Sequence, residues 1–212
     1  MLEAMIHGIY EHLLKRQITE LPGQICFMIS GEDMAEAPDT LFRVTSWCRE
    51  INGRVNHATP SSCGIHGITF HISTKAPDEI RQYLPAIRKI SSIARLKLHI
   101  GDDEEISGTG MDVVVAIGKS GREEITRCIR TMAEKGVGSA NVDEKTLESS
   151  LTFKYSPDVV VKSGGDHLTD FLIWQSVYSE LFFSDVNWGL LRKVDLLRVL
   201  RDYQARIRRF GK

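Results

Sequence analysis

The residues best suited to bind a ligand or carry out chemistry lie in a Gly-rich loop in the last third of the chain. Residues 159–161 are three valines, which predict a buried strand, and Lys162-Ser-Gly-Gly-Asp-His167 follows them directly. We predict an aromatic-rich helix after the loop and then a second strand at 181–184. A strand that runs into a polar Gly-rich loop at a helix start is a common way to bind an anion or a substrate. Asp166 and His167 do not suggest an acid/base pair, because adjacent side chains rarely face the same ligand.

A second candidate position follows the first predicted strand, the apolar run from Ile25 to Ser30. Between Gly31 and Leu41 the chain carries four acids, and the first cation after them is Arg43. Acids stabilise the start of a helix but repel a phosphate group placed there. The segment therefore predicts an acidic helix start.

The C-terminal segment, residues 189–212, is basic, with eight lysines and arginines against two aspartates. Apolar residues recur there every three or four places, which predicts a helix that packs one face and exposes its cations. The segment ends in Arg209-Phe210-Gly211. A guanidinium group matches phosphate oxygens, and a glycine lets its backbone N–H approach closely.

Several of these segments resemble the cis-prenyltransferases, which make undecaprenyl and dehydrodolichyl diphosphate. The resemblance rests on Asp158-Val-Val-Val-Lys-Ser-Gly-Gly-Asp166, Asp170-Phe-Leu-Ile-Trp-Gln175, Tyr178-Ser-Glu-Leu-Phe-Phe183 and the final Arg-Phe-Gly. Pro22 to Glu32 is similar to the family's first-strand signature, and Gly118-Lys-Ser-Gly-Arg-Glu-Glu-Ile125 to a landmark after a central strand. Nearly the whole chain shares the resemblance.

The chain departs from the family at positions that bind substrate. The family's Asp that holds Mg²⁺ on the allylic diphosphate falls on Ser30, and the Asn two places later falls on Glu32. The later loop has a lysine for the first arginine, one residue fewer and no second arginine. The resemblance therefore implies a degenerate site, whose positions are Ser30, Gly31, Glu32, Lys162, Ser163, Gly164 and Asp166.

The resemblance also implies a dimer. In the family an Arg-x-Gly near the chain end crosses the dimer interface and binds isopentenyl diphosphate in the other subunit's site. Here that role would fall in trans on Arg209, Phe210 and Gly211. The interface would contain aromatic residues that we interpret as core and dimer contacts rather than a stacking surface, with one acid: Trp174, Tyr178, Glu180, Phe182 and Trp188.

These expectations lead to three hypotheses. The first is a catalytically inactive accessory subunit of a heteromeric cis-prenyltransferase, similar to the Nogo-B-receptor-type subunits. Its homologous catalytic partner would hold Mg²⁺ and the allylic diphosphate, and this chain would carry no metal or cofactor. The alternative is a self-sufficient homodimeric cis-prenyltransferase with a degenerate site. The third is a prenyl-lipid-binding module, which would need a tunnel between the helices after the first two strands.

The elements that must position these residues alternate between strand and helix. Strands are predicted at 25–30, 68–73, 96–100, 111–117, 159–161 and 181–184, and helices at 2–17, 39–52, 122–135 and 143–151, with another opened by Pro77. Such alternation predicts an α/β fold: one domain over residues 1–212, with a mostly parallel sheet of five or six strands flanked by helices. The N-terminal helix, within 1–20, has one apolar stripe, which we expect to pack on its own domain: Leu2, Met5, Ile6, Ile9, Leu13 and Leu14.

Composition excludes several classes of protein. With 212 residues, 42% hydrophobic, the chain suits one globular domain, and a net charge of −1 gives no general attraction to nucleic acid. Its four cysteines lie far apart, which predicts reduced thiols in a cytoplasmic protein; peripheral membrane contact stays open. The spacing of Cys63, His66 and His71 matches no zinc pattern.

Overall fold

A seven-stranded sheet with helices on both faces forms the centre of the computed structural model. The structure describes residues 2–58, 64–101, 103–138, 141–151, 156–164, 172 and 174–206, with side chains at 2–7 and 55–58 outside the description. The strands are β1 Gln24–Ser30, β2 Gly67–Ser73, β3 Arg95–Ile100, β4 Asp103–Ser107, β5 Asp112–Ile117, β6 Val159–Ser163 and β7 Glu180–Ser184. Their order is β4-β3-β5-β2-β1-β6-β7, and every neighbouring pair is parallel except β3 and β4. The predicted fold class is confirmed.

The sequence prediction missed β4. This strand begins Asp103-Glu104-Glu105, and acids are depleted in strands, so no β pattern marks it. It pairs with β3 alone at the edge of the sheet. Because an edge strand is half solvated, its side chains need not be apolar.

The helices are α1 Leu2–Gln17, α2 Gly31–Glu36, α3 Thr40–Ala58, α4 Pro77–Ile80, α5 Leu84–Arg88, α6 Gly121–Glu134, α7 Glu144–Ser150 and α8 Lys193–Gln204. The predicted bounds agree closely for α1, α6 and α7, whereas α3 is longer than predicted. Residues 174–178 form turns where a helix was predicted, and α8 begins only after a short 3₁₀ turn at Trp188–Leu190. Within the described residues, no helix combines the length and apolar character that crossing a membrane requires.

The larger core lies on the sheet face that α1, α3 and α8 cover. At its centre three aromatic rings pack together: the centroids of Phe27 and Phe70 are 5.5 Å apart, and the Trp188 ring lies 6.0 and 6.2 Å from them. The expectation that Trp188 lies at a dimer interface is wrong, because its side chain is 0% exposed within the chain itself.

The apolar stripe of α1 also departs from its prediction. Leu14 is buried in the core and Tyr10 packs against it, but Ile9 and Leu13 are 55% and 51% exposed. Polar contacts with α8 add to this packing. Gln204 of α8 donates to the Gln17 carbonyl at 2.7 Å and accepts from the Thr19 amide at 3.0 Å. Ion pairs add to them, joining Glu11, Lys15, Glu50 and Lys193.

Burial raises the pKa of the Cys26 and Cys48 thiols from 9.0 to about 12. We therefore expect iodoacetamide to label them about a thousand times more slowly in the folded than in the unfolded protein. Below pH 9 the two thiols are neutral in the folded and the unfolded state, so the free energy of unfolding does not depend on their ionisation. Between pH 9 and about 12 the unfolded thiols ionise and the folded ones do not, so the free energy of unfolding declines. Mass spectrometry with and without urea measures this protection for each cysteine. Equal labelling in both states would show that the thiols are accessible.

Candidate functional site

The end of β1 carries the first group of predicted site residues. The Ser30 amide and hydroxyl both donate to the Asp33 carboxylate at 2.8 Å, and the Ser30 hydroxyl accepts from the Asp33 amide at 3.1 Å. This reciprocal arrangement is a capping box, which satisfies backbone groups at the start of α2. The predicted acidic helix start is confirmed. The Ser30 side chain therefore caps α2.

A cavity of about 450 Å³ lies beside this cap, between the ends of β1 and β2 and the α4 region. Its described lining contains two carboxylates, Glu32 and Glu79, and no lysine or arginine. Carboxylates suit Mg²⁺, but a diphosphate also needs cations or free N–H groups. This lining by itself does not fit an Mg-diphosphate, but an adjoining cavity of about 350 Å³ shares Ser73 and Thr74 with it and is lined by Lys75 and Lys119.

The second predicted group lies at the end of β6, next to the first. Met28 of β1 pairs with Lys162 of β6, so the two strands end side by side. The fold thus brings the Ser30–Glu32 and Lys162–Gly164 segments together, as predicted, where β1 and β6 end, at the carboxyl-terminal ends of the parallel strands. Asp166 lies outside the described residues.

Local contacts set the shape of the β6 end. The Lys162 ammonium donates to the Ser163 carbonyl at 2.7 Å. The Ser163 hydroxyl is buried and has no hydrogen-bond partner within the described part of the chain. Gly164 has φ +63°, a left-handed conformation that favours glycine, and its amide donates to the Ser184 carbonyl at 3.1 Å. A buried, unpaired hydroxyl at a strand end is a position where a ligand could accept or donate a hydrogen bond.

A mixed-charge cavity, not anticipated from the sequence, lies beyond β5 and has a volume of about 410 Å³. Its lining includes Lys119, Arg127 and Arg130, together with Glu123 and Glu124. The Glu124 carboxylate is 3% exposed and accepts from the Gln175 amide at 3.0 Å, which ties α6 to the 174–178 turns. The Gly118–Ile125 landmark contains several of these residues, but the sequence did not reveal that they line a cavity.

The sequence did not favour His71 as a metal ligand, and the structure places this residue in the interior. Its side chain is 0% exposed in β2, and Nε2 lies 2.6 Å from the Lys119 carbonyl. In the described part of the chain, no three side chains of His, Cys, Asp or Glu gather as a metal site would require. Cys63 lies outside the description.

The predicted interface residues divide into surface and core. Tyr178 is 61% exposed, and Trp174 and Glu180 are half-buried. Phe182, like Trp188, belongs to the core: it is 8% exposed, and the Arg206 guanidinium lies 3.9 Å from its ring centroid. Phe182 contributes mainly to the core because alternate side chains of β7 face the covered side of the sheet, and its contact with a second subunit stays a prediction. Arg209, Phe210 and Gly211 lie outside the described residues.

Comparison with known proteins identifies the family. A family model described as putative undecaprenyl diphosphate synthase matches residues 86–211, which include β5, α6, β6, β7 and α8. The chain belongs to this family. The predicted membership of the cis-prenyltransferases is thereby confirmed.

Individual relatives and a solved structure with names from this family are similar to the chain. A geranylgeranyl-diphosphate-specific tritrans,polycis-undecaprenyl-diphosphate synthase of Methanocaldococcus jannaschii is 34% identical over 151 residues, 64% of this chain and 54% of that protein. A short-chain Z-isoprenyl diphosphate synthase of Mycobacterium bovis is 29% identical over 201 residues, 88% of this chain and 69% of that protein. The structure of a probable undecaprenyl diphosphate synthase from Campylobacter jejuni superposes with TM-score 0.64 at 21% identity, covering 91% of this chain and 99% of that one. That likeness shows the fold.

These relatives bear on the choice between hypotheses. All three are named as synthases, and none is named as an accessory subunit. The chain spans about half the length of the first curated relatives it matches.

Proposed function

We propose that the protein acts in cis-prenyl transfer, the addition of isopentenyl diphosphate units to an allylic diphosphate. The observation that carries the proposal is the family match over residues 86–211. The matched segment contains the β6 end beside the end of β1, and the buried Ser163 hydroxyl there has no hydrogen-bond partner among the described residues. Two forms of this function differ in whether the chain works alone.

In the first form the protein is itself an isoprenyl diphosphate synthase, active as a homodimer. The names of its relatives support this form. Exposed apolar side chains support pairing with a second copy: Val177 and Tyr178 lie just before β7, and Phe183 lies on it, with exposures of 64%, 61% and 48%. Burying such side chains between identical subunits is favourable, and twofold pairing is the commonest assembly.

In the second form the chain supports a homologous catalytic subunit. A specific observation favours it: Ser30 caps α2, and the cavity beside it offers two carboxylates without a lysine or arginine in its described lining. The partner would then bind Mg²⁺ and the allylic diphosphate. This chain would contribute Arg209 and the Gly211 amide to the isopentenyl diphosphate.

One assay separates the two forms. The purified chain is incubated with geranylgeranyl or farnesyl diphosphate, labelled isopentenyl diphosphate and Mg²⁺, alone and with a homologous subunit that has aspartate at the position of Ser30. Labelled polyprenyl product from the chain alone establishes the first form and excludes the second. If the chain is inactive alone but raises the partner's turnover, the second form holds. Absence of both effects would contradict the proposed function.

A further inference from the structure

The loop between β5 and α6 carries a Gly-Lys-Ser-Gly sequence that the proposed function leaves without a role. Residues 118–121 lead from the buried strand β5 into α6, a helix of 14 residues. Gly118 has φ +63°, a left-handed conformation that favours glycine, and it turns the chain at the strand end. A lysine beside glycines at a strand-to-helix junction is a known way to hold a phosphate group, because the ammonium group and backbone amides contact the same anion.

Contacts with the neighbouring loop fix the position of this segment. The carbonyl oxygen of Lys119 lies 2.6 Å from Nε2 of His71, whose side chain is 0% exposed. Gly118 packs so closely on the loop after β2 that a Cβ atom at this position would lie 2.6 Å from Cγ of Pro77. The loops after β2 and β5 are therefore in direct contact at the carboxyl ends of two paired strands.

The cavity of about 350 Å³ that adjoins the one at the start of α2 opens between these two loops, and we call it the β2–β5 cavity. Each loop contributes one lysine to its lining, Lys75 after β2 and Lys119 after β5. The lining also contains three residues with hydroxyl groups: Ser73, Thr74 and Ser120. Lys75 is exposed and forms no ion pair with the residues that the structure describes. An anion in the cavity would therefore meet a cation from each loop.

Cations outnumber acids around the β2–β5 cavity. One acid, Glu123, is in its described lining, so two lysines face one carboxylate. The mixed-charge cavity beyond β5 adjoins it and adds two arginines and one acid: Arg127, Arg130 and Glu124. By contrast, the cavity at the start of α2 has two carboxylates and no lysine or arginine in its described lining. The start of α6 therefore attracts an anion that the start of α2 would repel.

We propose that the β2–β5 cavity binds a phosphate or diphosphate group between the ammonium groups of Lys75 and Lys119. Hydrogen bonds from ammonium groups to phosphate oxygens are charge-assisted and stronger than neutral ones. The Ser120 side chain forms no hydrogen bond that caps α6, so it leaves the first amides of the helix to the anion. The degenerate positions follow β1 and β6, whereas this cavity lies at the ends of β2 and β5, so the site is additional to the one that the family resemblance implies.

The test is isothermal titration calorimetry of the full chain with inorganic diphosphate at low salt and without Mg²⁺. We expect saturable binding, which Lys119→Gln should weaken at least about tenfold, the usual effect of losing a hydrogen bond from a charged donor. Lys75→Gln should weaken it about fivefold, the effect of one charge at contact distance in water. Glu123→Gln should strengthen the binding, because it removes the carboxylate that repels the anion.

The matched control is Lys89→Gln, which removes the same charge from a lysine that pairs with Asp39 and does not line the β2–β5 cavity. It should change the affinity less than about twofold, and circular dichroism should show that all variants are folded. The proposal is overturned if the wild type does not bind diphosphate, or if Lys119→Gln binds it equally well. It is also overturned if Lys162→Gln abolishes binding while Lys119→Gln does not, because the anion would then lie at the end of β6.

A second titration, with farnesyl diphosphate, distinguishes a free anion from the headgroup of an isoprenoid. Binding that again depends on Lys119 supports the site and identifies the headgroup as its ligand. Binding of inorganic diphosphate alone at Lys119 supports the site and identifies a free anion. Neither titration requires turnover, so the result is independent of the prenyl-transfer assay.

Discussion

Replacement of Trp188 by alanine is expected to lower the free energy of unfolding by about 3 to 5 kcal/mol, the usual cost of truncating a buried tryptophan. The side chain is 0% exposed and contacts both Phe27 and Phe70, so its removal leaves a cavity in the centre of the larger core. The 3₁₀ turn that carries it lies between β7 and α8. Urea denaturation followed by circular dichroism measures the change.

Two further variants make this expectation specific. Trp188→Phe should cost much less, because the ring contacts are partly kept and the buried Nε1, which has no hydrogen-bond partner in the described part of the chain, is removed. Tyr178→Ala should change stability by no more than about 0.5 kcal/mol, since the side chain is largely exposed. If Trp188→Ala were as mild as Tyr178→Ala, the placement of Trp188 in the core would be wrong.

Replacement of Arg209 by alanine is expected to reduce kcat/KM for isopentenyl diphosphate about 10- to 100-fold, in whichever form is active. The expectation rests on the proposed function and on the resemblance of Arg209-Phe210-Gly211 to the family's Arg-x-Gly. A charge-assisted hydrogen bond contributes about 1.5 to 3 kcal/mol, which corresponds to that range. The effect should appear mainly in KM, because the contact binds a diphosphate in the ground state as well as in the transition state.

The chain offers a matched control for this variant. Arg208 is the preceding residue and lies outside the Arg-x-Gly pattern, so Arg208→Ala should leave KM within about twofold of the wild type, as surface charge changes usually do. Arg209→Lys should restore binding only in part, because an ammonium group lacks the two-pronged geometry of a guanidinium. An unchanged KM in Arg209→Ala would exclude the contact in trans.

Much of the fold followed from local pattern. The apolar runs of β1, β2 and β5 and the periodicity of α1 and α6 indicated elements close to those observed. Neighbouring residues determine whether a segment can bury one face or two, so strands and helices of this kind can be predicted without knowledge of the rest of the chain. The acidic start of α2 was predictable for the same reason, since Ser30 and Asp33 interact within one helical turn.

The candidate site was predicted only in part. Parallel strands all end on the same side of a sheet, so the fold class predicted that the Ser30 and Lys162 segments lie close together. The mixed-charge cavity beyond β5 could not be, because residues that follow β3 and β5 line it together with α6, among them Gly101, Lys119 and Arg127.

Tertiary contacts alone decided which side of an element is covered. The sequence established that α1 is amphipathic, but the packing of Leu14 and Tyr10 against the core leaves Ile9 and Leu13 exposed. Trp188 could equally have been a surface aromatic, and only the approach of Phe27 and Phe70 makes it the centre of the core. Periodicity reports that a helix or strand has two unlike faces, whereas burial depends on residues far apart in the chain that only the folded packing brings together.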